Sequence, residues 1–407
     1  MKICAVTTWP PHRDGISLYS AQLYEHIGKN TEVKVLANII DSPTSNEEAF
    51  DKGIHCRIIR CWRRGSVTYP FKIFRRILME KPDIIHLQHG WLLYGDKFSS
   101  LLLPLLLILL RLTKRPLIVT MHTIIGEKPR LHENGVANFI ARMLITFLMG
   151  SIVKLSSKIV VHNNLMKTAL ENLYSLRKDN WKIFVIPHGV REASRKPRNI
   201  RKNGGVKILS LGFLRKEKGI EYLIDAFKIF SINCPKTTLI IAGGKHAHDN
   251  DEGYIKLIKR RLPDAASKNI IFTEFVDDET LDRLIWESEI IILLSLGRHY
   301  IEASGSLARV AMYGKPLICS KVPKFEADLE DGKDCIMVES DNPKKLAEML
   351  SLLTNDASLR ENMGRNLKRK FKDRTWSNVA EQHIKIFKDS LRLASVEQKI
   401  HKGSSSD

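Results

Sequence analysis

At 407 residues the chain is too long for one ordinary core and suits two α/β domains, and its 43% hydrophobic and 27% charged content lies near the globular average, which excludes a disordered chain. Its 65 basic residues outnumber the 45 acidic ones, a formal charge of +20 that implies anionic partners such as nucleic acid, anionic lipid or phosphorylated small molecules. The six cysteines include no C-x-x-C pair, and Cys4, Cys319 and Cys335 sit in apolar runs as reduced core thiols do, so cytoplasmic residence is expected.

Met1–Val6 is one short strand, ended by Pro10-Pro11 and too short for a signal sequence. Further β-branched runs follow at Val33–Ala37, Cys56–Ile59, Ile84–Leu87, Leu117–Thr120, Lys158–His162 and Ile183–Ile186. After the polar stretch Arg191–Gly205 they resume at Lys207–Leu211, Thr238–Ala242, Ile270–Phe275, Ile290–Leu294, Pro316–Cys319 and Cys335–Val338. Segments of helical periodicity separate them, which predicts parallel sheets with crossover helices. The expected division is residues 1–190, a linker at 191–205, a second domain at 206–375, and a terminal helix with a frayed tail at 376–407.

Leu101–Leu112 and Asn138–Leu155 are unusually apolar helical segments, and Phe71–Leu78 interleaves aromatic, aliphatic and basic residues. Two readings stand: buried crossover helices with solvated basic edges, or peripheral docking on an anionic membrane surface.

Several motifs fail. No G-x-G-x-x-G follows the first strand and no P-loop is present, so neither a dinucleotide nor any other organic cofactor is expected. His86-Leu87-Gln88-His89 lacks a carboxylate partner, and Asp249-Asn250-Asp251 lies in a polar stretch, so no metal site is expected. Basic runs such as Lys368-Arg369-Lys370 lack interleaved aromatics, which argues against a nucleic-acid partner.

Six segments in order carry a resemblance: Asp14-Gly15-Ile16, Pro82–His86, Val119–His122, Ile183–Val190 (IFVIPHGV), Leu209–Ala226 (LSLGFLRKEKGIEYLIDA) and Ala311–Pro316 (AMYGKP). Together they are similar to the retaining glycosyltransferases of family four. The resemblance implies the GT-B fold, two Rossmann-like doubly wound domains facing a central cleft, with the C-terminal helix returning to the first. It also implies transfer of a hexose from a UDP- or GDP-sugar to a glycan or lipid-linked saccharide, without metal.

The breaking glycosidic bond loads negative charge onto the donor's diphosphate, so a site must hold fixed positive donors there. Lys218, in a loop before a helix, suits the leaving phosphate, and Arg215 is near enough in sequence to share it. Ser304-Gly305-Ser306 before a short helical run would turn backbone N–H groups toward a pyrophosphate. Gly15 would let its loop approach the same phosphates. By resemblance His122 sits near the sugar, and Glu302 matches, one position displaced, the first glutamate of the family's paired-glutamate signature, supporting the departing carbon. The roles of His86, of His188 (replacing the family's asparagine) and of Arg309 stay open. Arg309 stands where the family's second glutamate would accept from the donor ribose, and Phe213 replaces the family's arginine after the glycine.

Overall fold

The computed structural model describes residues 1–40, 55–126, 135–174, 176, 181–197, 205–244, 252–262, 266–297 and 299–403. In chain order its strands are β1 Lys2–Thr7, β2 Glu32–Asn38, β3 Arg57–Trp62, β4 Ile84–His89, β5 Leu117–Met121, β6 Thr123–Ile125, β7 Lys158–Val161, β8 Ile183–Val185, β9 Lys207–Leu211, β10 Thr238–Ala242, β11 Ile270–Glu274, β12 Ile290–Leu293, β13 Tyr300–Glu302, β14 Leu317–Ser320 and β15 Ile336–Val338. The chain divides into two compact units. The first is Met1–Gly189, His299–Ala303 and Trp376–Asp407; the second is Val190–Arg298 and Ser304–Thr375.

The first unit holds a seven-stranded parallel sheet in the order β3-β2-β1-β4-β5-β7-β8. Its central strands are apolar on both faces, because crossover helices cover both; Ile3, Val6, Ile85, Leu87, Ile118 and Val119 are all buried. The chain runs outward from β1, then returns to place β4 on β1's other side, with Val6 opposite Leu87. Ligands of open α/β sheets lie beyond the strands' carboxyl ends at such a reversal.

The second unit repeats the plan with six parallel strands, β11-β10-β9-β12-β14-β15, reversing between β9 and β12. Helix Ile220–Ser231 buries Leu223, Ile224, Phe227 and Phe230 against this sheet. Asp277 caps helix Asp278–Glu287 by accepting from the Thr280 N–H at 2.7 Å.

The C-terminal helix Trp376–Gly403 belongs to the first unit, as expected. Its Trp376, Val379, Ala380, Ile386 and Phe387 join Tyr19, Leu23, Tyr24 and Ile27 of helix Gly15–Gly28 in one apolar cluster. Full burial of a side chain such as Phe387 contributes about 1.5–3 kcal/mol. Gly189 is required here: a Cβ on it would lie 2.4 Å from the Trp376 indole.

One boundary differs from expectation. His299–Ala303, assigned from sequence to the second domain, lies in the first unit, because β13 pairs antiparallel with β6, Glu302 opposite Thr123 and Ile301 opposite Ile124. Two three-residue strands are too short to show a period, so only the pairing reveals them. Part of the expected linker, residues 198–204, and the Asp249-Asn250-Asp251 motif lie outside the described residues.

Candidate functional site

The second unit gathers its candidate groups at the sheet reversal. β9 ends at Leu211, and Gly212 follows with φ +136°, a conformation that strains any residue with a side chain. A Cβ on Gly212 would lie 3.3 Å from Ser306 Oγ and 3.8 Å from Lys218 Nζ. Three segments therefore converge on one backbone position. The same residues, with Ser210, Phe213, Leu293 and Leu294, line a cavity.

Local sequence sets each group there. Lys216–Lys218 form a single 3₁₀ turn ended by Gly219 in the left-handed region, φ 59°, and helix Ile220–Ser231 begins immediately. The Ile220 N–H donates to Tyr254 Oη at 3.0 Å, and Tyr254 in turn donates to Glu221 at 2.6 Å, so the helix start is braced by its own unit. Arg215 precedes the turn, half-buried, with its Nε 3.5 Å from a Glu217 carboxylate oxygen.

The Ser304–Ser306 expectation divides. Ser304 Oγ accepts from the Leu307 N–H at 3.2 Å and caps helix Gly305–Val310, so this buried hydroxyl serves the helix. Gly305 is exposed and Ser306 half-buried, and their N–H groups open the helix where no intrahelical acceptor exists. Arg309 turns away from this group. It donates to Asp282 and, at 3.2 Å, to the Tyr313 hydroxyl and the Asp278 carbonyl. Its guanidinium is thus paired within the unit, to Asp282, Tyr313 and Asp278.

In the first unit Gly15 starts helix Gly15–Gly28, which Asp14 caps by accepting from the Ser17 N–H at 2.6 Å. A Cβ on Gly15 would meet no protein atom, so the loop surface there is open. Burial pushes the Asp14 carboxyl up, but hydrogen bonds from His12 and the Ser17 amide, with the nearby His12 charge, hold it below the usual range.

His122 follows β5 and is half-buried. Its Nε2 lies 2.8 Å from Gln88 Oε1 and its Nδ1 lies 3.0 Å from His162 Nε2, so both ring nitrogens have partners. Tyr19 packs edge-on against it, centroids 4.6 Å apart. Burial, then neighbouring His162, His188, His89 and His86, hold His122 well below the ordinary histidine range, so it is neutral at pH 7. Glu302 stands next to it through the ribbon, accepting from Thr123 Oγ1 at 3.3 Å. The two residues picked for the sugar side thus come together on one unit.

His86 is a core residue. It is wholly buried, its Nδ1 is 2.9 Å from Tyr24 Oη, its Nε2 is 2.8 Å from Thr120 Oγ1, and Phe387 covers it. His188 is half-buried among Tyr19 and Trp376, with Nδ1 2.7 Å from the Gly189 carbonyl. Sequence reasoning passed over Gly212, Gln88 and His162. Gly212 had a signal, a glycine ending a strand; Gln88 and His162 had none beyond strand-end positions. Among the described residues no group of three or more histidine, cysteine or acidic side chains could hold a metal ion.

Residues 13–193 match the family described as Glycosyltransferase Family 4, and residues 190–370 match Glycosyl transferases group 1. An uncharacterized glycosyltransferase of Methanocaldococcus jannaschii, MJ1607, is 24% identical over 97% of this chain and 99% of its own. The structure of Anabaena Alr3699/HepE in complex with UDP and glucose superposes with TM-score 0.72 at 15% identity, covering 95% of this chain and 99% of that one. Sucrose-phosphate synthase from Thermosynechococcus elongatus gives 0.74 at 16%, covering 96% and 99%. At such identities the structural likeness speaks for the fold, and the two family matches, which meet end to end near residue 190, speak for the lineage. The chain belongs to the family-four glycosyltransferases and has the GT-B fold.

Proposed function

We propose that this glycosyltransferase takes a hexose from a UDP- or GDP-sugar and passes it, with retention and without a metal, to a glycan or lipid-linked saccharide. One observation carries the donor assignment: Lys218 Nζ and Ser306 Oγ converge on Gly212 at the reversal of the second sheet. A cation, a hydroxyl and a side-chain-free backbone match a diphosphate that gains charge as its bond to the sugar breaks. Arg215 and the Gly305 and Ser306 amides extend that set within the second unit. HepE, a structural neighbour, was solved with UDP-glucose, which supports a nucleotide-sugar donor here.

His122 and Glu302 are assigned to the sugar side, Glu302 facing the positive charge that develops at the anomeric carbon. Retention follows the family: leaving phosphate and incoming hydroxyl act on one face of the ring. The acceptor oxygen bonds to carbon as the phosphate leaves, and the hydroxyl proton passes to the phosphate oxygen.

Lys218→Ala is expected to lower kcat/KM at least about tenfold with the best donor in a UDP-, GDP- and ADP-sugar thermal-shift screen. Wild-type turnover in that variant removes Lys218 from the site. Donor binding without turnover on any acceptor pool would instead point to a nucleotide-sugar-binding protein of the same fold.

We also propose peripheral attachment to an anionic membrane on the cytoplasmic side. Helices Tyr69–Glu80, Leu103–Leu112 and Gly135–Leu155 pack side by side in that order. They leave Phe71, Met79, Ile108, Leu112, Phe139, Met143 and Phe147 exposed beside Lys72, Arg75, Arg111 and Arg142. Helix Gly135–Leu155 is long and apolar enough to cross a membrane, but it buries Ile145, Leu148, Met149 and Ile152 against its own unit, which favours lying flat. Co-flotation with phosphatidylglycerol-containing vesicles is expected for the wild type and lost in Phe139→Glu/Phe147→Glu; equal flotation of both proteins rejects this face.

A further inference from the structure

A continuous chain of hydrogen bonds runs through the first unit, and elementary chemistry fixes how many hydrogens it needs. Its links are Ile186 O to His162 Nδ1 (3.1 Å), His162 Nε2 to His122 Nδ1 (3.0 Å), His122 Nε2 to the Gln88 amide (2.8 Å), Gln88 to Tyr24 Oη (2.7 Å), Tyr24 to His86 Nδ1 (2.9 Å) and His86 Nε2 to Thr120 Oγ1 (2.8 Å). A carbonyl oxygen only accepts, so His162 Nδ1 must carry a hydrogen. With Gln88 Oε1 toward His122, that end only accepts too, so His122 Nε2 must also carry one. The link between the two rings then needs a third.

Two neutral imidazoles own two ring hydrogens. Either the pair binds an extra proton, or Gln88 supplies the missing hydrogen by exchanging its amide ends. The groups facing the pair are Tyr19 from helix Gly15–Gly28, His86 and His89 from β4, His188 beyond β8, and His383 from the C-terminal helix, with Glu302 engaged on Thr123 alongside. No carboxylate bonds either ring among the described residues. Burial pushes His162 down to about 3 and His122 well below its ordinary range, so an extra proton has no support at pH 7.

We propose that Gln88 is a positioning residue that turns its amide N–H toward His122 Nε2 and so fixes His122 and His162 as Nδ1–H tautomers. Every other link then closes with one hydrogen. His122 Nδ1–H donates to His162 Nε2, and His162 Nδ1–H donates to Ile186. Tyr24 donates to the Gln88 oxygen, His86 Nδ1–H donates to Tyr24, and Thr120 donates to His86 Nε2. The exchange puts the Gln88 oxygen 3.4 Å from His86 Nε2, where two acceptors face each other and no hydrogen bond forms.

The consequence is selectivity. His122 Nε2 presents a lone pair, so any ligand atom that displaces Gln88 there must bring a hydrogen. A sugar hydroxyl qualifies; a phosphate or carboxylate oxygen does not. The inference does not rest on the donor assignment and stands or falls separately from Lys218.

The test is ring ¹⁵N NMR of histidine-labelled full-length protein at pH 7, with His122 and His162 assigned through single His→Asn spectra. Both rings are expected to show protonated Nδ1 and unprotonated Nε2. Hydrogen on Nε2 of His122, or an imidazolium on either ring, would overturn the proposal. In Gln88→Glu the carboxylate can only accept, so the pair must keep an extra proton, and its titration is expected to move up by at least about one pH unit. An unmoved titration in a folded Gln88→Glu protein also overturns it. If that variant fails to fold, the wild-type spectrum decides alone.

Discussion

His86, His162 and His383 of the first unit are at most 2% exposed and His89 is 7% exposed, all held uncharged by burial, whereas Arg215 and Lys218 of the second unit stand partly exposed in a loop. At these positions the first unit holds neutral rings in its interior, while the second holds two cations partly exposed. Each arrangement suits a different part of a transfer reaction. Neutral, fixed hydrogen-bonding groups discriminate among hydroxyls, while a cation responds to charge that appears on a leaving group. The two arrangements also answer acid differently.

The largest expected effect follows from that asymmetry. Burial lowers His89 to about 4, His162 to about 3 and His383 to about 4, and holds His86 well below the ordinary histidine range. Unfolded histidine titrates near 6.5, so below that pH the unfolded first unit binds more protons than the folded one. Its stability is complete above about pH 6.5 and is lost as pH falls toward the folded values. Four such groups remove on the order of 5 kcal/mol between pH 7 and 5.5. The second unit contains no histidine among its described residues. Proteolysis at pH 7 and 5.5, with fragments mapped by mass spectrometry, is expected to show cleavage rising in residues 84–126 and 158–189 well before residues 207–242. Equal rises in both would show that buried histidine protonation does not govern acid lability.

The same contrast marks what the sequence could disclose. The parallel strands were legible because each is an uninterrupted apolar run, and the turn that carries Lys218 was legible because a glycine ends it just before a helix. The unit that holds Glu302 was not legible, since its three-residue strand pairs with a partner 179 positions away and nothing local announces that. The histidine chain was illegible for a related reason. His86, Gln88, His122 and His162 come from strand ends whose alignment depends on the register of three strands at once. The capping role of Ser304 was illegible because its partner, Leu307, is visible only once the helix start is fixed. Short-range chemistry is readable from spacing, while long-range register is not.

Arg309 gives the smallest effect and the sharpest test of how self-contained the second unit's charges are. The family pattern places a carboxylate at this position, and its replacement by a cation suggests lost ribose binding. The structure instead shows a local pair: Arg309 and the Tyr313 hydroxyl both bond Asp282, and Asp278 approaches at 3.5 Å. Burial pushes the Asp282 carboxyl up, but the Tyr313 hydrogen bond and the Arg309 charge outweigh it and hold the carboxyl below its ordinary range. That stabilisation is present above about pH 3.9 and disappears as pH falls through the depressed value. Arg309→Ala is expected to cost about 1–2 kcal/mol in urea unfolding while changing UDP affinity by less than about twofold. Arg309→Glu is expected to cost more than Arg309→Ala, because a third carboxylate would meet Asp278 and Asp282, and not to improve donor binding. A tenfold loss of UDP affinity in Arg309→Ala would mean that this arginine does reach the donor, and the division between structural and donor-binding charge in the second unit would have to be redrawn.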